Sequence, residues 1–234
     1  WVEPEVANPF KVTMQSSGEV NKDKNVDFEF DYPLVRFDSA QITLRRMKEG
    51  DTIGESVGYH FVHDTLNYRK YQLRANWEAL ANYGLLIPAG TFQNTAQEQN
   101  DTITCKYTGS DPAKYTTVTV KVRSTNARAK YILQMTNAQG KTQKEIRNVV
   151  PGDYIFEYIT PGEVMVRVVE DMNGNGKWDT GDMVLMRQPE RTEIYTNEKG
   201  EQLIATKANW EFEVDVDMDV LFAPITMQSL NKML

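Results

Sequence analysis

The chain has 234 residues, room for one large domain or two of ordinary size. Its 26 Lys and Arg stand against 33 Asp and Glu, a net charge of −7 at pH 7, which speaks against nucleic acid or an anionic membrane surface as partner. No apolar run approaches the roughly 20 residues of a membrane-spanning helix, and a single cysteine, Cys105, excludes an intrachain disulfide.

A period of two dominates the chain from Val26 onward. Val26, Phe28, Phe30 and Tyr32 alternate with Asp27, Glu29 and Asp31, and Ile42 and Leu44 alternate with Thr43 and Arg45. Val57, Tyr59 and Phe61 follow, then Tyr71, Leu73, Ala75 and Trp77, then Tyr83, Leu85 and Ile87, then Ile103, Cys105 and Tyr107. Each run is short and closed by Gly, Asn, Asp or Pro, the pattern of half-buried antiparallel strands. The sole helix candidate, 76–81, is shorter than a helix that stands alone.

The turn cluster Gly109-Ser-Asp-Pro112 interrupts the alternation and marks a domain boundary, giving domains at 1–110 and 111–216 and an extension at 217–234. Beyond it Val118, Val120 and Val122 point inward, and further strands centre on 131–135, 141–146, 154–158 and 164–168. The longest alternation runs through Ile204, Thr206, Ala208, Trp210, Phe212, Val214 and Val216 and predicts one continuous strand. About seven short strands in each half predict two antiparallel β-sandwiches in tandem. Ala-Asn-Trp-Glu occurs at 75–78 and again at 208–211, in different contexts.

The candidate site is Asp171-Met-Asn-Gly-Asn-Gly-Lys-Trp-Asp-Thr-Gly-Asp182. Oxygen-bearing side chains at Asp171, Asn173, Asn175, Asp179 and Asp182 have the spacing of an EF-hand-type calcium loop, with Gly176 at the sharp turn and the Lys177 carbonyl as a further ligand. Aspartate at the twelfth position and two neutral Asn ligands depart from that pattern, and a β-branched alternating segment precedes the loop where an EF-hand has a helix. Any calcium held there is expected to be structural. The other reading makes Asn-Gly-Asn-Gly a strand connection capped by local aspartate bonds.

Other reactive residues carry weaker signals. His60 and His63 are three apart on a strand and face opposite sides, which does not suit a shared metal. Cys105 falls on the apolar parity of its strand, a core position. Trp178 lies within the loop, exposed or covering the site, while most other aromatics have core parity. Asp38-Ser-Ala, Asp51-Thr-Ile, Asp64-Thr-Leu and Asp101-Thr-Ile share a form that resembles the O-glycosylation acceptor pattern of Bacteroidetes.

The segment 160–182, with Arg187-Gln-Pro-Glu190 and Ala208-Asn-Trp-Glu211, resembles the C-terminal region of Bacteroidetes Ig-like-domain lipoproteins. The first half, with Tyr71 to Trp77, Tyr83-Gly-Leu-Leu-Ile-Pro-Ala-Gly90 and Asn100-Asp-Thr-Ile-Thr-Cys-Lys-Tyr107, is similar to the bacterial Ig-like domain associated with S-layer proteins. The resemblance implies an Ig-like sandwich followed by one of the prealbumin-like or carboxypeptidase-regulatory type. It also implies an exported, outer-membrane-associated or surface protein, anchored through a lipidated N-terminus that precedes Trp1. The expected role is non-catalytic, a structural or binding module for a protein or glycan at the cell surface. The alternative is the carbohydrate-binding component of a glycan-uptake system, which calls for an exposed coplanar aromatic pair beside polar groups; an enzyme calls for convergent carboxylates in a deep cleft.

Overall fold

A computed structural model describes residues 10–48, 54–184 and 186–223. Strand makes up 52% and helix 5%, so the chain is all-β. It divides into two compact units between Asp111 and Pro112.

The first unit contains β1 (Val12–Met14), β2 (Ser17–Val20), β3 (Val26–Phe30), β4 (Leu34–Phe37), β5 (Thr43–Met47), β6 (Glu55–Ser56), β7 (Tyr59–His63), β8 (Lys70–Ala75), β9 (Asn82–Ile87), β10 (Phe92–Asn94) and β11 (Ile103–Gly109). One sheet runs β1-β3-β8-β7, the other β2-β11-β9-β5-β6, and β10 and β4 form a ribbon. The alternation explains the layering. Val26, Phe28, Phe30 and Leu73 from one sheet share a core with Leu44, Tyr83, Leu85, Ile87, Cys105 and Tyr107 from the other. This core is aromatic, with Phe30 and Phe92 ring centroids 5.1 Å apart edge to face.

The second unit contains β12 (Thr116–Arg123), β13 (Tyr131–Asn137), β14 (Thr142–Val149), β15 (Gly152–Ile159), β16 (Gly162–Glu170), β17 (Thr192–Ile194), β18 (Ile204–Thr206) and β19 (Glu211–Asp217), followed by one helical turn, Met218–Leu221. Sheets β15-β12-β19 and β14-β13-β16-β17, the latter joined by β18 on β16, enclose an aliphatic core. Val118, Val120, Val122, Val164, Val166, Val168, Val214 and Val216 supply much of it. Burying one such side chain is worth about 1.5–3 kcal/mol.

Among the described residues the sheets are antiparallel except for two pairings. β2 runs parallel to β11, with Ser17 opposite Lys106, and β12 runs parallel to β19, with Thr117 opposite Glu211. In each unit an early strand closes against the last. Such a pairing needs a long crossover and leaves no local sequence signal.

Four local expectations change. Residues 76–81 form a turn, not a helix, with Leu80 at φ 60°. The continuous strand over 204–216 is two strands in two sheets: β18 pairs with β16, β19 pairs with β12, and Asn209 turns the chain between them at φ 59°. Alternation survives the break because both strands face the same core. In the same way the run from Val57 to Phe61 touches two sheets: Val57 N–H donates to the Leu44 carbonyl of β5 at 2.9 Å, and β7 pairs with β8. Tyr32 lies past the end of β3 and is exposed.

Candidate functional site

The connection from β16 to β17 carries the candidate loop. At its base Glu170 N–H donates to the Arg191 carbonyl at 3.0 Å, and the Arg191 guanidinium meets the Glu170 carboxylate at 2.8 Å. Asp171 enters the loop with 3% of its surface exposed. Its Oδ1 accepts from Gly174 N–H at 2.7 Å and Asn175 N–H at 3.1 Å, and its Oδ2 from Gly176 N–H at 2.8 Å. Gly176 sits at φ 72°, where a Cβ would strain the backbone. Buried carboxylate and glycine turn thus define each other: the loop closes because its amides have one anionic acceptor to turn toward.

The next ligand candidates converge. The Asn173 and Asn175 amides both donate to Asp179 Oδ2, the second at 2.7 Å. Asn173 Oδ1 accepts from Asn175 N–H at 2.9 Å, and Asn175 Oδ1 from Lys177 N–H at 2.7 Å. Asp182 makes a different turn: its Oδ1 accepts from Val184 N–H at 2.9 Å, and its backbone pairs with Arg187 in both directions at 2.9 Å. The structure therefore ties Asp171, Asn173, Asn175, Lys177 and Asp179 into one network and places Asp182 at the neck of the next turn.

Sequence reasoning missed Glu190. Its carboxylate is buried, with Oε1 accepting from Met172 N–H at 2.9 Å and Oε2 from Asp179 N–H at 3.0 Å. It spans the loop from first turn to last, and its backbone carbonyl accepts the Trp178 indole N–H at 3.1 Å. No ligand spacing points to it; the available signal was its place in Arg187-Gln-Pro-Glu190. Trp178 itself is half exposed.

Chemically the loop gathers oxygen side chains, the donor type a hard cation takes. Among the described residues no three His, Cys, Asp or Glu side chains gather as a metal group, so a cation here depends on the two Asn amides as donors. Both amides aim their nitrogens at the Asp179 carboxylate while their oxygens accept Asn175 N–H and Lys177 N–H; a cation would need those oxygens, and turning the amides toward it gives up the two backbone bonds.

Beyond the polar network the connection is apolar and exposed. Met183, Val184 and Met186 are 94%, 92% and 87% exposed, and Met172 is largely exposed as well.

The remaining candidates have local roles. His63 packs against Tyr71 with ring centroids 4.7 Å apart and tilted by 38°, while His60 is exposed on the other parity of β7. Cys105 is buried, and burial pushes its thiol up, with Tyr107 opposing that shift. Asp38 caps the 3-10 turn Ser39–Gln41 through Ala40 N–H at 3.1 Å, and Asp64 accepts from Leu66 N–H at 2.8 Å. Thr65 and Thr102 are exposed; Asp51-Thr-Ile lies outside the described residues. Trp210 is exposed and stacks on Phe212 at 6.1 Å and 24°.

No family model and no curated protein matches the chain. Among solved structures it is similar to the N-terminal part of the bacterial S-layer protein SbsC, at 11% identity and a TM-score of 0.33, covering 70% of this chain and 41% of that one. BcpA, the major pilin subunit of Bacillus cereus, overlaps at 8% identity and a TM-score of 0.24, over 89% of this chain and 69% of that one. The Bacillus anthracis TIE protein overlaps at 9% identity and a TM-score of 0.26, over 92% and 41%. Overlaps at these scores do not bear on function, which rests on the chain's own residues.

Proposed function

We propose that this chain is a non-catalytic binding module of the bacterial cell envelope, an Ig-like sandwich followed by a prealbumin-like one, which presents the 171–191 connection to a partner and holds a structural calcium in its polar half. The observation that carries this is the pairing of a self-capped polar loop with an exposed apolar end. Asp171 and Glu190 clamp the backbone from both sides, while Met183, Val184 and Met186 stand almost fully in solvent. Exposed apolar side chains on a stiffened loop are the usual form of a recognition surface. Export, surface location and a lipid anchor ahead of Trp1 are supported by the resemblance of 160–190 to the Bacteroidetes lipoproteins.

Asp171, Asn173, Asn175, Asp179 and the Lys177 carbonyl would hold the ion, with Asp182 as the sixth expected ligand. Calcium would supply fixed positive charge where the Asn amides now meet Asp179, stiffening the loop without catalysing a reaction. Calorimetric titration with calcium tests this. Saturating the site at about one hundred times Kd should stabilise the chain by about 2.7 kcal/mol, and Asp179→Asn should remove the heat. No heat and no change in Tm at millimolar calcium would retire the ion.

Carbohydrate binding is the second reading. Exposed Trp210 on half-buried Phe212, with Lys207 Nζ 5.2 Å from the indole centroid, is a near-parallel aromatic pair beside a polar group. A glycan array on wild type and Trp210→Ala decides it; an array without hits removes it.

A further inference from the structure

The second unit has an open seam that starts where the 171–191 connection ends, with Arg191 donating to the Phe222 carbonyl beside it at 2.8 Å. β19 pairs with β12 along one side and, among the described residues, with no strand along the other. β17 is likewise the last strand of its own sheet. Between these two edges lies an open groove of about 1180 Å³, floored by Ile194, Tyr195, Val216 and Leu221. Five carboxylates and no lysine or arginine line it.

β19 has a regular charge pattern. Glu211, Glu213, Asp215 and Asp217 occupy every outward position, while Val214 and Val216 are buried in the core. Cations from β12 answer two of them, Lys121 at Glu213 and Arg123 at Asp215. Across the groove, Glu193 and Glu198 line the seam, Glu193 within the field of Arg191. Burial, with Asp215 and Glu198 adding, holds the Tyr195 phenol above its ordinary range, as an apolar, negative slot requires.

We propose that the free edge of β19 is a docking site for an extended basic segment of a partner protein, which adds as a strand with lysine or arginine at alternate positions against the carboxylates and apolar residues toward the groove floor. Strand addition takes affinity from main-chain hydrogen bonds and specificity from alternate side chains. Charge selects the partner. Two copies of β19 set edge to edge would bring like charges opposite each other, which destabilises a strand pair, so the edge is closed to a second copy of itself and open to a cationic strand. This inference does not rest on calcium or on the 171–191 connection.

The test uses the full chain and a synthetic heptapeptide alternating lysine and valine, followed by calorimetry and amide hydrogen exchange at low and at physiological salt. Expected are saturable binding, slowed exchange confined to β19 and 192–198, and a loss of affinity of about tenfold or more in Glu193→Gln/Glu198→Gln/Glu211→Gln. A peptide N-methylated at alternate residues keeps its charge but lacks strand donors, and should also bind about tenfold or more weakly. Equal binding of the methylated peptide, or binding without protection of β19, means adsorption to an acidic surface and overturns the proposal, as does no binding. Protection of β19 without peptide, lost when residues 224–234 are removed, assigns the edge to the chain's own tail and also overturns it.

Discussion

Ala75-Asn-Trp-Glu78 and Ala208-Asn-Trp-Glu211 share four residues and differ in fate. In the first, β8 ends at Ala75 and Trp77 turns inward at 8% exposure. Its indole N–H donates to Asn25 at 2.9 Å, and its ring meets Tyr83 edge to face at 4.9 Å. In the second, Trp210 precedes β19 and stays 55% exposed, its ring on Phe212 and its backbone carbonyl accepting from Thr117 N–H at 3.0 Å and the Thr116 hydroxyl at 2.8 Å. The tetrapeptide specifies a turn at a strand end in both places. Whether its tryptophan becomes core depends on what stands opposite: an aromatic layer in the first unit, the open end of a valine sheet in the second.

Substitutions at four positions probe this difference by chemical denaturation. Trp77→Ala should have the largest effect, about 3–5 kcal/mol, from a buried cavity plus an orphaned Asn25 acceptor. A value under about 1 kcal/mol would mean that Trp77 is not core. Gly109→Ala comes next. A Cβ there would sit 1.8 Å from the Glu78 carbonyl oxygen, in a turn closed by Leu80 N–H on Gly109 and Gly109 N–H on Ala81. Forcing that contact should cost about 1–3 kcal/mol or more, while the second copy of the tetrapeptide, running straight into β19, has no such constraint.

Asn209→Ala should cost about 1 kcal/mol, because Asn209 holds a left-handed φ of 59° that alanine tolerates poorly, and Asn209→Gly should recover most of it. Failure of glycine to rescue would move the cost from backbone to side chain. Trp210→Ala should be smallest, within about 0.5 kcal/mol. A large loss there would put Trp210 in the core and erase the contrast, whereas lost glycan binding at unchanged stability would give it a function.

Much of this fold was legible because alternation is a local record of which face meets the core. Val26-Phe28-Phe30, Tyr83-Leu85-Ile87 and Val118-Val120-Val122 are buried as their parity requires. Short strands such as Ser17–Val20 and Phe92–Asn94 carry too few residues, and too much glycine or polar character, to show a period. The loop divides in the same way. Asp171, Asn173 and Asn175 with Gly176 are legible because their bonds span five residues or fewer. Glu190 lies 18 residues beyond Met172, the first amide it accepts, and its role appears only when the connection folds back.

The sequence by itself determined an all-β chain, the inward side of most strands and a polar glycine loop at 171–182, since each follows from contacts between residues close along the chain. Tertiary structure alone decided that 204–216 crosses from one sheet to the other, that early strands close in parallel on the last strand of each unit, and that one Ala-Asn-Trp-Glu buries its tryptophan while the other does not. A period of two says that a core lies on one side of the strand. It does not say which sheet supplies that core, because chain segments far apart in sequence build the opposing face.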